Sequence, residues 1–199
     1  MPSTSFDKRF FDKWYRGNDE RFRAGAYLER HARVVLAIAE YLLERRVRSV
    51  LDVGCGEGEW RAVMRKLRPG MRYAGMDTSE YVVRRFGARR NVAFGGFGDL
   101  GARDDLESFD VVLSVDTLHY VPTGDIARGA RVLGRRMTGV AMLHAFARGD
   151  AYEGDTGGIT NRPAAWYRDT FRRAGLTPVG MACWVGRTLR DSVSALERA

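Results

Sequence analysis

Short apolar runs alternate with longer amphipathic segments along most of this chain. Runs such as SVLDVG (49–54) and FDVVLSVD (109–116) are almost continuously apolar, which is typical of strands buried on both faces of a parallel sheet. The longer segments repeat apolar residues three and four positions apart, the spacing of an amphipathic helix. We therefore predict strands at 49–54, 72–77, 91–96, 109–116, 138–146 and 177–186.

The predicted helices begin and end at residues that favour helix boundaries. Leu28, Val35 and Leu42 lie on the apolar face of a long helix over 24–47. Ser79 is a candidate N-cap, and a proline opens each of the last two helices. The other helices are predicted at 57–67, 79–87, 122–135 and 163–175.

The regular alternation of strands and helices defines the fold class. Parallel strands joined by helices need right-handed crossovers, so we predict an α/β fold with a doubly wound, mostly parallel sheet of the seven-stranded, Rossmann-like type. The tail after residue 186 has a helical pattern, which leaves the form of the last strand and the sheet edge open. We predict one domain over residues 1–199, with residues 1–30 as an N-terminal helical cap.

Composition and charge narrow the class of protein. The net charge is +8, but the many arginines fall in separate helical segments and are not interleaved with stacking aromatic residues. We therefore favour solvated helix faces over a nucleic-acid surface. No apolar run is long enough to cross a bilayer, and the N-terminus does not resemble a secretory signal. Cys55 and Cys183 do not form a disulfide framework, so we expect a cytoplasmic protein.

A glycine-rich loop follows the first strand, in the stretch RSVLDVGCGEGEW (48–60). Gly54, Gly56 and Gly58 lie at the carboxyl end of that strand, where ligands bind in doubly wound sheets. Asp77 ends the second strand, and an acid at about that separation from the loop can bind both hydroxyls of a ribose. The loop and the acid therefore predict a ligand that carries adenosine.

The acids of the loop argue against a pyrophosphate. The dinucleotide fingerprint G-x-G-x-x-G would place its third glycine at residue 59, which is Glu59 here, and Glu57 precedes it. Carboxylates at a helix N-terminus repel the phosphate that the helix dipole would otherwise attract. Asp52 adds a third negative group. S-adenosylmethionine, which has a sulfonium, an ammonium and no phosphate, suits this loop better than NAD.

These segments together resemble the class I S-adenosylmethionine-dependent methyltransferases. The resemblance rests on VLDVGCGEG (50–58), GDL (98–100) and FDVVLSVDTLHYV (109–121), and it extends over roughly residues 30–186. It implies that the glycine loop wraps the methionine part of the cofactor, that the acid of the second strand binds the ribose, and that the third strand is followed by the adenine site. The residues so implicated are Asp52, Gly54, Cys55, Gly56, Gly58, Met76, Asp77, Thr78, Asp99, Leu100, Ser114, Val115 and Asp116.

Two further segments carry alternatives that the residues leave open. The aromatic N-terminus either packs on the core or forms a lid in which Trp14 or Tyr15 closes over the cofactor. The glycine-rich loop 147–162 is longer than a plain connection needs. Its Tyr152, Glu153 and Asp155 either line the acceptor site or face solvent.

Three histidines are candidates for moving a proton during methyl transfer. His31 lies in the long helix and is expected to be structural. His119 follows the fourth strand and is expected to brace the cofactor, whereas His144 ends the fifth strand on the acceptor side. A histidine near its usual pKa is suited to general base catalysis around neutral pH. We therefore predict His144 as the base, with His119 as the second candidate.

The acceptor is predicted by exclusion. The sequence after the fourth strand, SVDTLHY, has neither the Pro-Pro-aromatic motif of nucleobase amino methyltransferases nor a catalytic cysteine. The chain is near the minimal size for the catalytic fold plus an N-terminal cap, and no appended RNA-binding domain is evident, so a small-molecule acceptor of O- or N-methylation is favoured. No clustered metal ligands are evident, which disfavours metal-dependent catechol-type chemistry. A methyltransferase acting on protein or RNA, and a non-catalytic module of the same fold that binds the cofactor or RNA, remain alternatives. An NAD-dependent reductase is disfavoured, because no Tyr-x-x-x-Lys motif is present. The oligomeric state is left open.

Overall fold

A seven-stranded sheet forms the centre of the molecule, with strand order β3-β2-β1-β4-β5-β7-β6. The computed structural model describes residues 6–16, 25–151 and 157–196. The first five strands run parallel to one another, and β7 is antiparallel to both of its neighbours, β5 and β6. The strands are β1 Ser49–Val53, β2 Arg72–Asp77, β3 Val92–Phe94, β4 Val111–Val115, β5 Val140–His144, β6 Thr177–Pro178 and β7 Cys183–Val185.

Helices flank the sheet, and their ends follow the local chemistry. The Ser79 hydroxyl accepts a hydrogen bond from the Val82 amide, so it caps its helix as predicted. The long helix ends at Leu43, earlier than predicted, and the next residue, Glu44, has a left-handed φ of 54°. The helices are α1 Lys8–Arg16, α2 Gly25–Leu43, α3 Glu59–Leu67, α4 Glu80–Arg90, α5 Thr123–Arg136 and α6 Ala164–Arg173.

The core forms two main layers, one on each face of the sheet. Alternate residues of a strand point to opposite faces, so Val50 packs with α2 and α3 while Leu51 packs with α5 and α6. Burial on both faces explains why these strands are almost continuously apolar in sequence. The predicted fold class, a doubly wound and mostly parallel sheet, is confirmed.

The far edge of the sheet differs from the single last strand predicted over 177–186. Gly180, Met181 and Ala182 all have positive φ angles, of 85°, 49° and 59°, so the chain reverses there. The segment therefore forms a hairpin in which β7 lies between β5 and β6 and is antiparallel to both. The tail continues as a short 3-10 helix, Arg187–Ser192.

Candidate cofactor and acceptor site

A cleft opens at the carboxyl ends of β1, β2 and β4. This is the crevice in which doubly wound sheets bind ligands. Six residues expected to contact the cofactor line it together. They are Gly54, Gly56, Asp77, Thr78, Ser114 and Asp116.

The glycine loop has a shape that side chains would not permit. Gly54, Gly56 and Gly58 have φ angles of 77°, 52° and 82°, in the left-handed region that glycine adopts without strain. A Cβ atom on Gly54 would lie 2.4 Å from Cγ2 of Thr117, another residue of the cleft wall. The absence of a side chain at Gly54 therefore allows Thr117 to pack closely against the loop.

The Asp77 carboxylate connects the loop to the end of β2. Its Oδ2 accepts a hydrogen bond from the Gly56 amide, and its Oδ1 accepts one from the Ser79 amide, both at 2.8 Å. Burial raises the pKa of Asp77, while these two amides act to lower it. Each carboxylate oxygen can accept a further hydrogen bond. The side chain lines the cleft and can accept hydrogen bonds from the two hydroxyls of a ribose.

Other predicted cofactor residues lie behind the lining rather than on it. Asp52 is buried and accepts a hydrogen bond of 2.6 Å from the Tyr73 hydroxyl, and burial raises the pKa of Asp52 to about 7. Asp99 accepts a hydrogen bond of 2.9 Å from the Gly96 amide, so it shapes a turn whose Gly96 lines the cleft. The remaining residues of this group are outside the cleft lining: Cys55, Gly58, Met76, Leu100 and Val115.

Aromatic residues of the N-terminal segment form one wall of the cleft. Phe6, Phe10 and Phe11 line it, although sequence analysis singled out their neighbours Trp14 and Tyr15. Trp14 does not line the cleft, and the side chain of Tyr15 lies outside the described residues, as do Tyr152, Glu153 and Asp155.

Two contacts attach this segment to the site. The Phe6 carbonyl accepts a hydrogen bond from the Ser79 hydroxyl, and Arg16 forms an ion pair of 2.8 Å with Glu57 of the glycine loop. The adjacent phenylalanines at 10 and 11 were the available sequence signal, because two neighbouring helical positions face different directions and can serve both core and cleft. The N-terminal segment therefore covers the cofactor end of the cleft.

A hydrogen-bonded pair stands at the ends of β4 and β5. Nδ1 of His144 lies 2.7 Å from Oδ1 of Asp116, and the Tyr27 hydroxyl donates to Oδ2 of Asp116 at 3.2 Å. Asp116 lines the cleft and has a left-handed φ of 57°. The hydrogen bond to Asp116 raises the pKa of His144, and burial acts in the opposite direction. His144 is not in the lining, but its side chain is 30% exposed.

His119 is in a different environment from His144. It is buried, and its ring packs against Tyr120 and Phe146 at centroid distances of 4.3 and 5.4 Å. Burial lowers the pKa of His119 to about 4, so its imidazole is neutral around pH 7. Its packing partner Tyr120 lines the cleft, so His119 supports the wall from behind.

The buried Arg162 fixes the loop that carries this wall. Its guanidinium donates to the Val121 carbonyl at 2.8 Å and to the Thr123 hydroxyl at 3.1 Å, and it lies 5.0 Å from the Trp166 ring centroid. Val121 lines the cleft, so this arginine connects α6 to the site. No sequence pattern distinguished Arg162 from the many exposed arginines of the chain.

Fold and site together define an α/β protein with a cleft suited to an adenosine-containing ligand, and comparison identifies its family. The chain belongs to the methyltransferase-domain family, whose sequence profile matches residues 21–173. It is thus a class I S-adenosylmethionine-dependent methyltransferase. Comparison with curated proteins finds no match. None of the helices in the described part of the chain is long and apolar enough to cross a membrane.

Solved structures share this fold at low sequence identity. An S-adenosylmethionine-dependent methyltransferase from Archaeoglobus fulgidus is 17% identical, with a TM-score of 0.64 over 83% of this chain and 72% of that one. DesVI from Streptomyces venezuelae is 16% identical, with a TM-score of 0.66 over 89% and 97% of the two chains. The sugar N-methyltransferase KedS8 from Streptoalloteichus is 22% identical, with a TM-score of 0.62 over 89% and 92%.

The chemistry of the cleft fits this cofactor. The backbone of Gly54 and Gly56 lines the cleft without side chains, and Asp77 retains acceptor capacity for ribose hydroxyls. The charged side chains of the described lining are Asp77 and Asp116, both acidic, which suits a sulfonium and disfavours a pyrophosphate. Phenylalanine and tyrosine rings on the opposite wall can attract a cation through their faces.

Replacing Asp77 tests its role in the cleft. Asp77→Ala is expected to weaken S-adenosylhomocysteine binding by about 1.5–3 kcal/mol, or about 10- to 150-fold, because a charged acceptor is lost and the glycine loop is released. Asp77→Asn is expected to lose less, since its amide oxygen still accepts. Calorimetric titration measures both, with exposed Asp169→Asn on α6 as the control. Unchanged affinity for S-adenosylhomocysteine in both Asp77 variants would mean that a residue other than Asp77 binds the ribose.

Proposed function

We propose that this methyltransferase acts on a small-molecule acceptor, by O- or N-methylation, with His144 as the general base. The Asp116–His144 pair at the ends of β4 and β5 carries this proposal, because Asp116 lines the cleft and the side chain of its partner His144 is partly exposed. The cleft is enclosed by α1 on one side, which suits a small acceptor better than a folded macromolecule. The free, buried state of Cys55 and Cys183 agrees with a reducing, cytoplasmic setting.

The charge of the lining supports a neutral or cationic acceptor. Asp77 and Asp116 are its charged members among the described residues, and no lysine or arginine side chain stands among them to neutralise a carboxylate or phosphate. An anionic acceptor would lose its hydration without gaining a partner, which is costly in a partly buried cleft. This distribution of charge also disfavours RNA, whose phosphates require basic contacts.

In this proposal the chain's own residues align the acceptor and take its proton. S-adenosylmethionine supplies a methyl group on a sulfonium and leaves as S-adenosylhomocysteine. Nδ1 of His144 faces a carboxylate, which only accepts hydrogen bonds, so Nδ1 carries the proton and Nε2 keeps the lone pair. The acceptor's proton passes to Nε2, and the freed electron pair on its oxygen or nitrogen forms the new bond to the methyl carbon. The C–S electrons remain on sulfur.

The N-terminal segment has the position of a lid. Phe6, Phe10 and Phe11 cover the cofactor end of the cleft, and the Arg16–Glu57 ion pair joins α1 to the glycine loop. We propose that the whole chain acts as one domain and that residues 1–30 exclude water from the reacting atoms.

A panel of acceptors tests the substrate class. Matched amines, alcohols and carboxylic acids of similar size would be incubated with S-adenosylmethionine, and released S-adenosylhomocysteine would be measured. Turnover is expected with amines or alcohols and not with the carboxylates, because the lining is acidic. Transcripts and peptides form the comparison arm, and methylation confined to RNA or protein would contradict a small-molecule acceptor.

Replacing His144 tests the base. His144→Ala is expected to lower turnover by about 10²–10⁴-fold with little change in S-adenosylhomocysteine affinity. Wild-type turnover is expected to rise with pH through a pKa above 6.5, since Asp116 favours the protonated ring at lower pH. His119→Ala is the matched comparison, and it is expected to weaken cofactor binding because the ring supports Tyr120. Near-full turnover with the same pH profile in His144→Ala would mean that His144 is not a base and that the enzyme acts by aligning the acceptor with the cofactor.

A further inference from the structure

Three side chains from three separate elements meet at Asp116, which lines the cleft. Asp116 follows β4, His144 ends β5, and Tyr27 lies in the first turn of α2. Each oxygen of Asp116 has one of these partners, His144 Nδ1 at 2.7 Å on Oδ1 and the Tyr27 hydroxyl at 3.2 Å on Oδ2. Sequence analysis did not single out Tyr27, because 89 residues separate it from Asp116.

We propose that Tyr27 and Asp116 are positioning residues that set the orientation, tautomer and proton affinity of His144. This inference rests on the proposed role of His144 as the base, and it adds the residues through which that role is tuned. Asp116 holds the Nδ1–H tautomer, so Nε2 is the nitrogen left to accept a proton. Tyr27 in turn holds the carboxylate and withdraws part of its charge from His144.

Tyr27 is suited to be a permanent donor in this arrangement. Burial and the neighbouring Asp116 carboxylate raise the pKa of the Tyr27 hydroxyl well above its usual value, so the proton stays on the phenol. His31 supports the ring from the next turn of α2, with a centroid distance of 4.2 Å and its Nδ1 2.9 Å from the Tyr27 carbonyl oxygen. The orientation of Tyr27 is therefore fixed by its own helix.

The groups around His144 act in opposite directions. Asp116 and, from the loop after β5, Asp150 favour the imidazolium, whereas burial disfavours it. The charge of His144 acts to lower the pKa of His119, and the charge of Arg30 on α2 acts to lower the pKa of Tyr27. The His31 ring lies edge-on to His144 at 6.0 Å. Tyr27 donates a hydrogen bond to the Asp116 oxygen that His144 does not contact, so its hydroxyl is the natural point of control.

Opposite substitutions are expected to move the His144 pKa in opposite directions. Tyr27→Phe removes a donor and leaves more of the Asp116 charge for His144, so that pKa is expected to rise by about 0.3–1 unit. Asp116→Asn removes the charge itself, so the pKa is expected to fall. Tyr41→Phe is the matched control, since Tyr41 lies on the same helix and is 80% exposed.

The experiment is an NMR titration of the histidine rings in the full chain. The protein has three histidines, so the ring Cε1–Hε1 resonances can be assigned from His31→Gln, His119→Gln and His144→Gln. Nitrogen shifts at high pH are expected to report the Nδ1–H tautomer for His144. S-adenosylhomocysteine titration of each variant checks that the cofactor site is intact.

Two results separate this inference from the proposed function. If the His144 pKa is the same in Tyr27→Phe, Tyr41→Phe and the wild type, or if Asp116→Asn does not lower it, the positioning role is overturned. If the pKa moves as expected, the positioning role is supported, whatever the turnover shows. The pKa that governs the pH dependence of methyl-transfer turnover is then expected to shift together with the His144 pKa measured by NMR. If the pKa of turnover does not shift, only the role of His144 as the base is rejected.

Discussion

One carboxylate at the end of β2 holds the cofactor end of this molecule together. Asp77 accepts from the Gly56 amide on one oxygen and from the Ser79 amide on the other. Ser79 in turn caps α4 through Val82 and donates to the carbonyl of Phe6. The glycine loop, a flanking helix and the N-terminal wall of the cleft therefore share one anchor, and the shape of the site depends on it.

The parallel sheet brings the second half of the site to the same edge. Because β1, β2, β4 and β5 run in one direction, their carboxyl ends meet, and residues distant in sequence become neighbours. Asp116 and His144, at the ends of adjacent strands, form a pair there. The Asp77 and Asp116 parts of the cleft thus follow from a single architectural constraint, and Tyr27 joins the Asp116–His144 pair from α2.

The sequence predicted those features that depend on a local pattern of residues. Buried strands appear in the sequence as apolar runs, and the glycine loop could be located because glycine adopts a left-handed backbone without strain. The β6–β7 hairpin escaped detection because Met181 and Ala182, at its turn, continue an apolar run and are poor turn residues by type. Tyr27 was missed for another reason, since its role arises from a contact across the fold that periodicity does not encode.

The most direct test of this account is a pair of calorimetric titrations of the wild-type chain, with S-adenosylhomocysteine and with NAD. Both ligands offer an adenosine ribose to Asp77, but only NAD brings a pyrophosphate to the acidic loop that contains Glu57. One S-adenosylhomocysteine is predicted to bind per chain, at least about 100-fold more tightly than NAD, a difference of about 2.7 kcal/mol. Tighter binding of NAD would contradict the account of the cleft.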